Sequence, residues 1–309
     1  MQPVEPATTP KAPASPAKPT AKIATAGEIA RAIRDLVASG SIEMTADRAG
    51  DVQVLADLLP SATPVYVNHL PRHSLDQALD GLARVADAGL EPVPHLAARR
   101  VASRADAELF LKRAVERAGV RKILMLGGDV AKVEGPYGDA ASLMRDGLLR
   151  NAGIREVAFA GYPEGHPRIA TAELDRALDE KVALARDQGL SPFVVTQFSF
   201  APSRIIEFAA GLARRAPGVP VYAGIAGPTS PVTLLRFAQL CGVSASLRAL
   251  QAQGMNAVRL VSRTDPTEQL AHLASHMLTH TADTIVGVHF FTFGGVAASA
   301  RFMNERLTG

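Results

Sequence analysis

The feature that most constrains the fold is a regular alternation of short apolar runs with amphipathic stretches of helical period. Between residues 170 and 188, for example, Leu174, Leu178 and Val182 form one apolar stripe. Eight strand-like runs separated by such stretches predict an α/β fold, a (β/α)8 (TIM) barrel, with a doubly wound sheet as the alternative. The runs lie at 41–45, 64–70, 91–97, 122–129, 156–162, 193–200, 219–226 and 285–293. No GxGxxG motif opens a helix after the first run, which favours the barrel.

The first 25 residues differ from the rest of the chain. Residues 1–25 consist mainly of Pro, Ala, Thr and Lys and contain almost no large apolar side chains. Such a segment cannot bury enough surface to offset its loss of chain entropy, so we predict a disordered tail. A helical stripe of Ile29, Ile33 and Leu36 follows it. We therefore expect an additional N-terminal helix and a single barrel domain over residues 26–309.

The composition argues against several classes of function. The formal net charge is only +3, and no basic run interleaved with aromatic residues is present, so we do not expect nucleic-acid binding. No stretch reaches the roughly 18 to 20 apolar residues that a membrane span needs, and no secretory signal opens the chain. The single cysteine, Cys241, excludes an intrachain disulfide and suits a reducing compartment, so we expect a cytoplasmic protein.

Polar side chains recur where the predicted strands end. Side chains alternate between the two faces of a strand, and polar inward positions at the carboxyl ends of barrel strands build active sites. In SIEMT, Ile42 and Met44 would face the helices, so Glu43 would face inward. Six runs deliver polar groups to one rim in this way: Ser41, Glu43 and Thr45; Asn68 beside Tyr66; His95 and Arg99; Asp129; Gln197 and Ser199; and Thr292. The pattern is typical of an enzyme.

Several of these residues could also serve a purely structural purpose. Glu43 could pair with an arginine, Asp129 could cap the next helix, and His95 could be a histidine of the core. Gln197 is harder to account for without a function, because a buried amide needs hydrogen-bond partners.

A second group of titratable residues lies further along the chain. His272, His276 and His280 are spaced so that they share one face of a helix. No carboxylate or cysteine joins them at metal-ligand spacing. We interpret them as a solvated stripe and expect no metal site.

The stretch AGYPEGHP forms a stiff and polar corner after the fifth run. Pro163 and Pro167 disfavour helical conformations at the residues before them, Tyr162 and His166. Both side chains would then be held in place before a ligand arrives, which reduces the entropy lost on binding.

These segments together resemble a known family. PHLAARR, LGGD, AGYPEGHP, TQFSF and VHFFTF occur in the order and approximate spacing of the methylenetetrahydrofolate reductases, over roughly residues 27 to 300. The resemblance implies a barrel that binds FAD at the carboxyl ends of its strands. It also implies reduction of 5,10-methylenetetrahydrofolate to 5-methyltetrahydrofolate with electrons from NADH or NADPH. It does not decide whether the chain forms a homo-oligomer.

The resemblance also implies roles for individual residues. Glu43 would be the catalytic acid, Asp129 would lie near the flavin and the pterin, and Gln197 would hydrogen-bond the folate. A general acid at neutral pH needs a raised pKa, which burial of a carboxyl group supplies. The positions that the resemblance places against the flavin cofactor are Asn68, His95, Gly128, Asp129, Tyr162, His166, Asp175 and Lys181.

The chain departs from the family at three places on the rim. Gly127 in LGGD stands where the family has an arginine, and Pro231 falls where an aromatic residue is expected. Gly294 and Gly295 follow the last motif, where the family commonly has a polar residue and an arginine. The departures leave other functions open: a flavin-free or reverse-direction folate oxidoreductase of one-carbon catabolism, or a non-catalytic folate-binding homologue.

Overall fold

The computed structural model describes residues 24–68, 70, 73–130, 132–243, 265–280 and 284–309. Within them the chain forms parallel strands that close into a barrel in sequence order, so the predicted (β/α)8 architecture is confirmed. The strands are β1 (Ser41–Thr45), β2 (Pro64–Asn68), β3 (Glu91–Ala97), β4 (Lys122–Leu126), β5 (Glu156–Gly161), β6 (Ser191–Thr196), β7 (Val221–Ala226) and β8 (Ile285–Phe291).

Helices connect the strands and cover the outside of the barrel. The described helices are α1 (Ala26–Ala38), α2 (Ala49–Leu58), α3 (Leu75–Asp87), α4 (Arg104–Ala118), α5 (Ala140–Arg145), α6 (Leu148–Ala152), α7 (Thr171–Asp187), α8 (Pro202–Arg215), α9 (Pro231–Leu240), α10 (Thr267–Thr279) and α11 (Val296–Thr308). The predicted N-terminal helix is thus present as α1. The predicted disordered tail lies outside the described residues, apart from residues 24 and 25.

Local sequence signals determine where several helices begin and end. Thr25 and Glu28 form a capping box at the start of α1, and Ser74 and Gln77 form one at the start of α3. Gly119 ends α4 in the left-handed conformation, with a φ of 62°. None of the described helices is long and apolar enough to cross a membrane.

The strands pack apolar side chains on both of their faces. Alternate residues point outward against the helices and form the main core, for example Ile42, Met44 and Val65. The inward residues fill the barrel with a second apolar cluster of Tyr66, Val93, Leu124, Ala158, Phe193 and Val195. The barrel is therefore a packed core rather than a pore, and ligands must bind at its rim.

Several strands are shorter than the predicted runs. The run 122–129 ends as a strand at Leu126, since Gly128 has a φ of 97°, which an extended strand does not allow. The run 193–200 is strand only to Thr196, and it begins two residues earlier than predicted, at Ser191. The segments that follow these two strands form part of the rim, where the predicted site lies.

Candidate active site

Glu43 lies in the middle of β1 and is buried, with only 7% of its surface exposed. Burial removes water from the carboxyl group and raises its pKa to about 7, from 4.5. Hydrogen bonds with the Asn68 side chain and the Thr292 backbone favour the charged form and limit the rise. The carboxyl group is therefore about half protonated near neutral pH, as a general acid requires.

Two buried oxygen atoms lie on the same inner face of the barrel as this carboxyl group. Thr45 follows Glu43 by two residues on the same strand face, and it pairs with Asn68 across the β1–β2 ladder. The Thr45 Oγ1 and Asn68 Oδ1 atoms are buried and have no hydrogen-bond partner within the described residues. Because buried polar atoms are normally satisfied, these two atoms indicate a place for a polar ligand.

A layer of polar side chains lies next to Glu43 inside the barrel. The Ser41 hydroxyl and His289 Nδ1 are 2.8 Å apart. The Tyr66 ring makes edge contacts with the rings of His289 and His95, at centroid distances of 4.6 and 5.8 Å. Burial and the neighbouring His95 lower the pKa of His289 to about 3, so this ring is neutral at pH 7.

The AGYPEGHP corner brings its two predicted residues together. The rings of Tyr162 and His166 meet edge to face at 5.5 Å. The corner turns at Gly165, whose N–H donates to the Tyr162 carbonyl at 3.0 Å. The Ser199 hydroxyl donates to the Glu164 carboxylate at 2.5 Å, which ties the corner to the end of β6. The corner is thus held by contacts of its own and by its neighbour strand.

Gln197 and Asp129 lie in different surroundings. The Gln197 N–H donates to the Gly161 carbonyl at 2.8 Å, so this half-buried residue follows β6 directly beside the corner. Asp129 is exposed and follows Gly128 on the segment after β4. Burial therefore does not distinguish Asp129 from an ordinary surface carboxylate.

A cavity of about 920 Å³ opens between the AGYPEGHP corner and helices α7 and α8. Three predicted cofactor residues, Tyr162, Asp175 and Lys181, line it, together with Gly127. Arg215 of α8 donates to Asp175 at 2.8 Å. The Lys181 ammonium lies 5.4 Å from the centre of the Phe159 ring, and burial lowers its pKa. The volume is within the range of sites that hold cofactors.

Sequence reasoning missed the contribution of α9 to the rim. Phe237 of α9 stacks on Phe293, with ring centroids 4.5 Å apart, and Phe293 packs against Phe198 at 5.0 Å. Phe293 has a φ of 48°, which is uncommon for an aromatic residue and indicates a constrained position. The expected aromatic is absent at Pro231, the first residue of α9, but the same helix brings an aromatic ring to the rim six residues later.

The end of α9 also reaches the surroundings of Glu43. Cys241 caps this helix and is half-buried. Burial, with the nearby charge of Glu43, raises the pKa of the Cys241 thiol to about 11. Burial, with Cys241 as a further neighbour, raises the pKa of Tyr162. Glu43 of β1, Tyr162 of the corner and Cys241 at the end of α9 are therefore near enough to influence one another's ionisation.

Two of the three histidines at helical spacing, His272 and His276, lie on α10, and His280 is its C-cap. The rings of His276 and His280 stack, with centroids 4.0 Å apart. Within the described part of the chain, no group of three or more His, Cys, Asp and Glu side chains is placed to hold a metal ion.

Comparison with known proteins adds a family and a fold. The family model described as methylenetetrahydrofolate reductase matches residues 77–305. An uncharacterized protein from Clostridium thermocellum that binds two copies of 5-methyl-5,6,7,8-tetrahydrofolic acid superposes with a TM-score of 0.60. It is 12% identical, and the match covers 86% of this chain and 94% of that one.

Dihydropteroate synthase from Thermus thermophilus is 14% identical to this chain, with a TM-score of 0.47. The match covers 87% of this chain and 91% of the synthase. At 12% identity, the likeness to the Clostridium protein shows the fold alone.

Proposed function

The chain belongs to the methylenetetrahydrofolate reductase family, and from this premise we propose that it reduces 5,10-methylenetetrahydrofolate to 5-methyltetrahydrofolate with NADH or NADPH. The observation that carries the proposal is the carboxyl group of Glu43. It is buried at the mouth of the barrel, its pKa is about 7, and unpartnered acceptor atoms lie beside it. A binding protein has no need of a buried acid with such a pKa.

In the proposed reaction, Glu43 donates one proton to the folate. Opening the methylene bridge breaks a carbon–nitrogen bond, and the nitrogen that leaves the carbon takes a proton. The carbon then accepts a hydride and becomes the methyl group. Protonated Glu43 supplies the proton, and its burial keeps water away from the carboxyl group until the folate is bound.

Neighbouring side chains hold the acid and the pterin. Asn68 and the Thr292 backbone fix the orientation of the Glu43 carboxyl group through hydrogen bonds. The unpartnered Oδ1 of Asn68 and Oγ1 of Thr45 accept from N–H groups of the pterin ring. Gln197 binds the folate from the β6 side of the mouth, and Asp129 approaches from the segment after β4.

Three of the residues expected to hold FAD, Tyr162, Asp175 and Lys181, line the cavity, and the other five lie outside its lining. Lys181 makes no ion pair within the described residues, although the charges of Asp139 and Glu180 act on it. Its ammonium could meet a phosphate in this cavity, whose volume suits a cofactor. The residues that would hold FAD are Asn68, His95, Gly128, Asp129, Tyr162, His166, Asp175 and Lys181. When bound, FAD would take a hydride from NAD(P)H and deliver it to the folate carbon.

The proposal predicts a specific loss in Glu43→Gln. The variant keeps the shape of the side chain but cannot donate the proton, so methylenetetrahydrofolate-dependent oxidation of NADH should fall about 100-fold or more. Binding of 5-methyltetrahydrofolate, measured by calorimetry, should remain. The wild-type rate should fall as the pH rises above about 7, because Glu43 loses its proton there.

The same NADH oxidation assay distinguishes this function from a flavin-free enzyme and from a non-catalytic folate-binding homologue. If the wild-type protein binds 5-methyltetrahydrofolate but never oxidises NADH in the presence of methylenetetrahydrofolate, it is a non-catalytic folate-binding homologue. Turnover by colourless protein that does not take up added FAD would instead identify a flavin-free enzyme. Full activity in Glu43→Gln would remove the acid assignment.

A further inference from the structure

The hydroxyl group of Ser199 is a buried polar group that the proposed reaction does not use. Ser199 is 1% exposed and lies on the segment between β6 and α8. Its Oγ donates to the Glu164 carboxylate at 2.5 Å and accepts from the Ala201 N–H at 3.0 Å. The Ala201 carbonyl, at 3.2 Å, is the other acceptor within reach, but a carboxylate forms the stronger hydrogen bond. The hydroxyl group thus links the start of α8 to the AGYPEGHP corner.

This link continues the pairing of β5 with β6 beyond the ends of the two strands. The last pair of the ladder is Gly161 with Thr196, and the Gln197 N–H then donates to the Gly161 carbonyl at 2.8 Å. Two residues later, Ser199 makes its contact with Glu164. Gln197 therefore lies between two attachments to the corner, and its backbone cannot shift along the corner without breaking one of them.

Another part of the corner packs on the end of α9. Gly242 has a φ of 72°, and a Cβ atom at this position would lie 2.6 Å from the Cδ of Pro167, so only a glycine allows this approach. Cys241, directly before Gly242, is near enough to influence the ionisation of Tyr162. The corner is therefore in contact with the end of α9 as well as with the segment after β6.

We propose that Ser199 is a positioning residue that, through Glu164, holds Gln197 in place relative to the corner. The proposal deepens the proposed function, on which it rests for the binding of folate by Gln197. A polar group that is held in place before the ligand arrives loses less entropy on binding. Ser199 acts through the two backbone segments that it joins and does not itself contact the folate.

The test compares Ser199→Ala with Ser299→Ala as the matched control. Both serines are buried, but the Ser299 hydroxyl group has no hydrogen-bond partner within the described residues. Ser199→Ala should weaken the binding of 5-methyltetrahydrofolate about tenfold, measured by calorimetry, because one of the two attachments beside Gln197 is lost. Ser199→Thr keeps the hydroxyl group and should restore the affinity, and Ser299→Ala should bind folate as the wild type does.

The reaction of Cys241 with a thiol reagent provides a measurement that needs no ligand. Because the residue after Cys241 packs on Pro167 of the corner, a loosened corner should make the thiol more accessible. Labelling of the native protein should therefore be severalfold faster in Ser199→Ala than in the wild type, and unchanged in Ser299→Ala. Thermal midpoints are measured on the same samples. A lower midpoint of Ser199→Ala with unchanged labelling and unchanged folate affinity would overturn the proposal, since the residue would then be purely structural.

A double-mutant cycle tests whether Ser199 acts through Glu164. If it does, the variant that combines Ser199→Ala with Glu164→Ala should have the labelling rate and the folate affinity of Glu164→Ala alone. Additive effects of the two substitutions would overturn the proposal. If the wild-type protein binds no folate, the proposed function fails, and the labelling rates of the same four proteins alone decide whether Ser199 holds the corner through Glu164.

Discussion

The carboxyl group of Glu43 links stability to pH. Its pKa is about 7 in the folded protein and 4.5 for the free group, so between these values the folded chain binds the extra proton. The stabilisation is complete below pH 4.5 and is lost as the pH rises through about 7. Wild-type protein should therefore lose roughly 3 kcal/mol of unfolding free energy between about pH 4.5 and 8, relative to Glu43→Gln. Denaturant titrations of both proteins across this range measure the difference, and parallel profiles would contradict the assignment.

The pKa of His289 is shifted in the opposite direction from that of Glu43, so His289 also makes stability depend on pH. Comparing wild type with Glu43→Gln removes the effect of His289. Its pKa is about 3 in the folded protein and 6.5 for the free group. Its contribution to stability is present above pH 6.5 and is lost as the pH falls toward 3. Because wild type and Glu43→Gln share this histidine, the difference between their profiles isolates Glu43.

At the scale of elements, the contact between β6 and β7 depends on a glycine. Gly224 of β7 donates its N–H to Thr196 Oγ1 at 2.8 Å. A Cβ at this position would lie 2.1 Å from the Thr196 carbonyl oxygen and 2.8 Å from the Phe291 ring. The two strands can approach this closely only because the residue has no side chain.

Gly224→Ala should therefore destabilise the protein by about 1–3 kcal/mol, since backbone atoms would have to move. The shift should also displace the neighbouring Gln197 and weaken folate binding. Gly50→Ala is the matched control: Gly50 lies in α2, has nothing within 4 Å of its Cβ position, and should gain up to about 1 kcal/mol from helix propensity. Thermal midpoints measure the change in stability of the two variants, and folate titrations measure the change in affinity. Equal midpoints and equal folate affinities in the two variants would refute the close contact.

At the scale of the whole molecule, the rate at which Cys241 reacts with a thiol reagent measures access to the mouth of the barrel. It is the only cysteine of the chain, so a thiol reagent labels one position. Its pKa is about 11, against 9.0 for the free thiol. Native protein at about pH 8 should thus react about 100-fold more slowly than unfolded protein, because it holds less thiolate.

Folate should slow this labelling further, because the charge of Glu43, a residue of the proposed folate site, acts on the Cys241 thiol, which also influences Tyr162. Labelling rates with and without 5-methyltetrahydrofolate measure the effect, and labelling of the urea-unfolded chain serves as the control. A native rate equal to the unfolded rate would mean that α9 does not shield the thiol.

The barrel and part of its site could be predicted because their signals are local. The alternation of inward and outward side chains has a period of two, so SIEMT alone indicates that Glu43 faces inward and Met44 faces the helices. The order of the apolar runs and the helices between them limits the topology to very few folds. The same reasoning placed Asn68 and His95 on the inner face, and the rigid corner held Tyr162 beside His166.

Other properties of the site depend on contacts between residues far apart in the chain. The raised pKa of Glu43 results from burial by the whole barrel, and no stretch near residue 43 encodes it. Phe237 reaches Phe293 only because α9 folds over the rim. The sequence by itself determined the strand order and the faces of the side chains, since both follow from local periodicity. Only the tertiary structure decided which charges are paired and which carboxyl group is buried, because desolvation and ion pairing depend on neighbours that folding brings together.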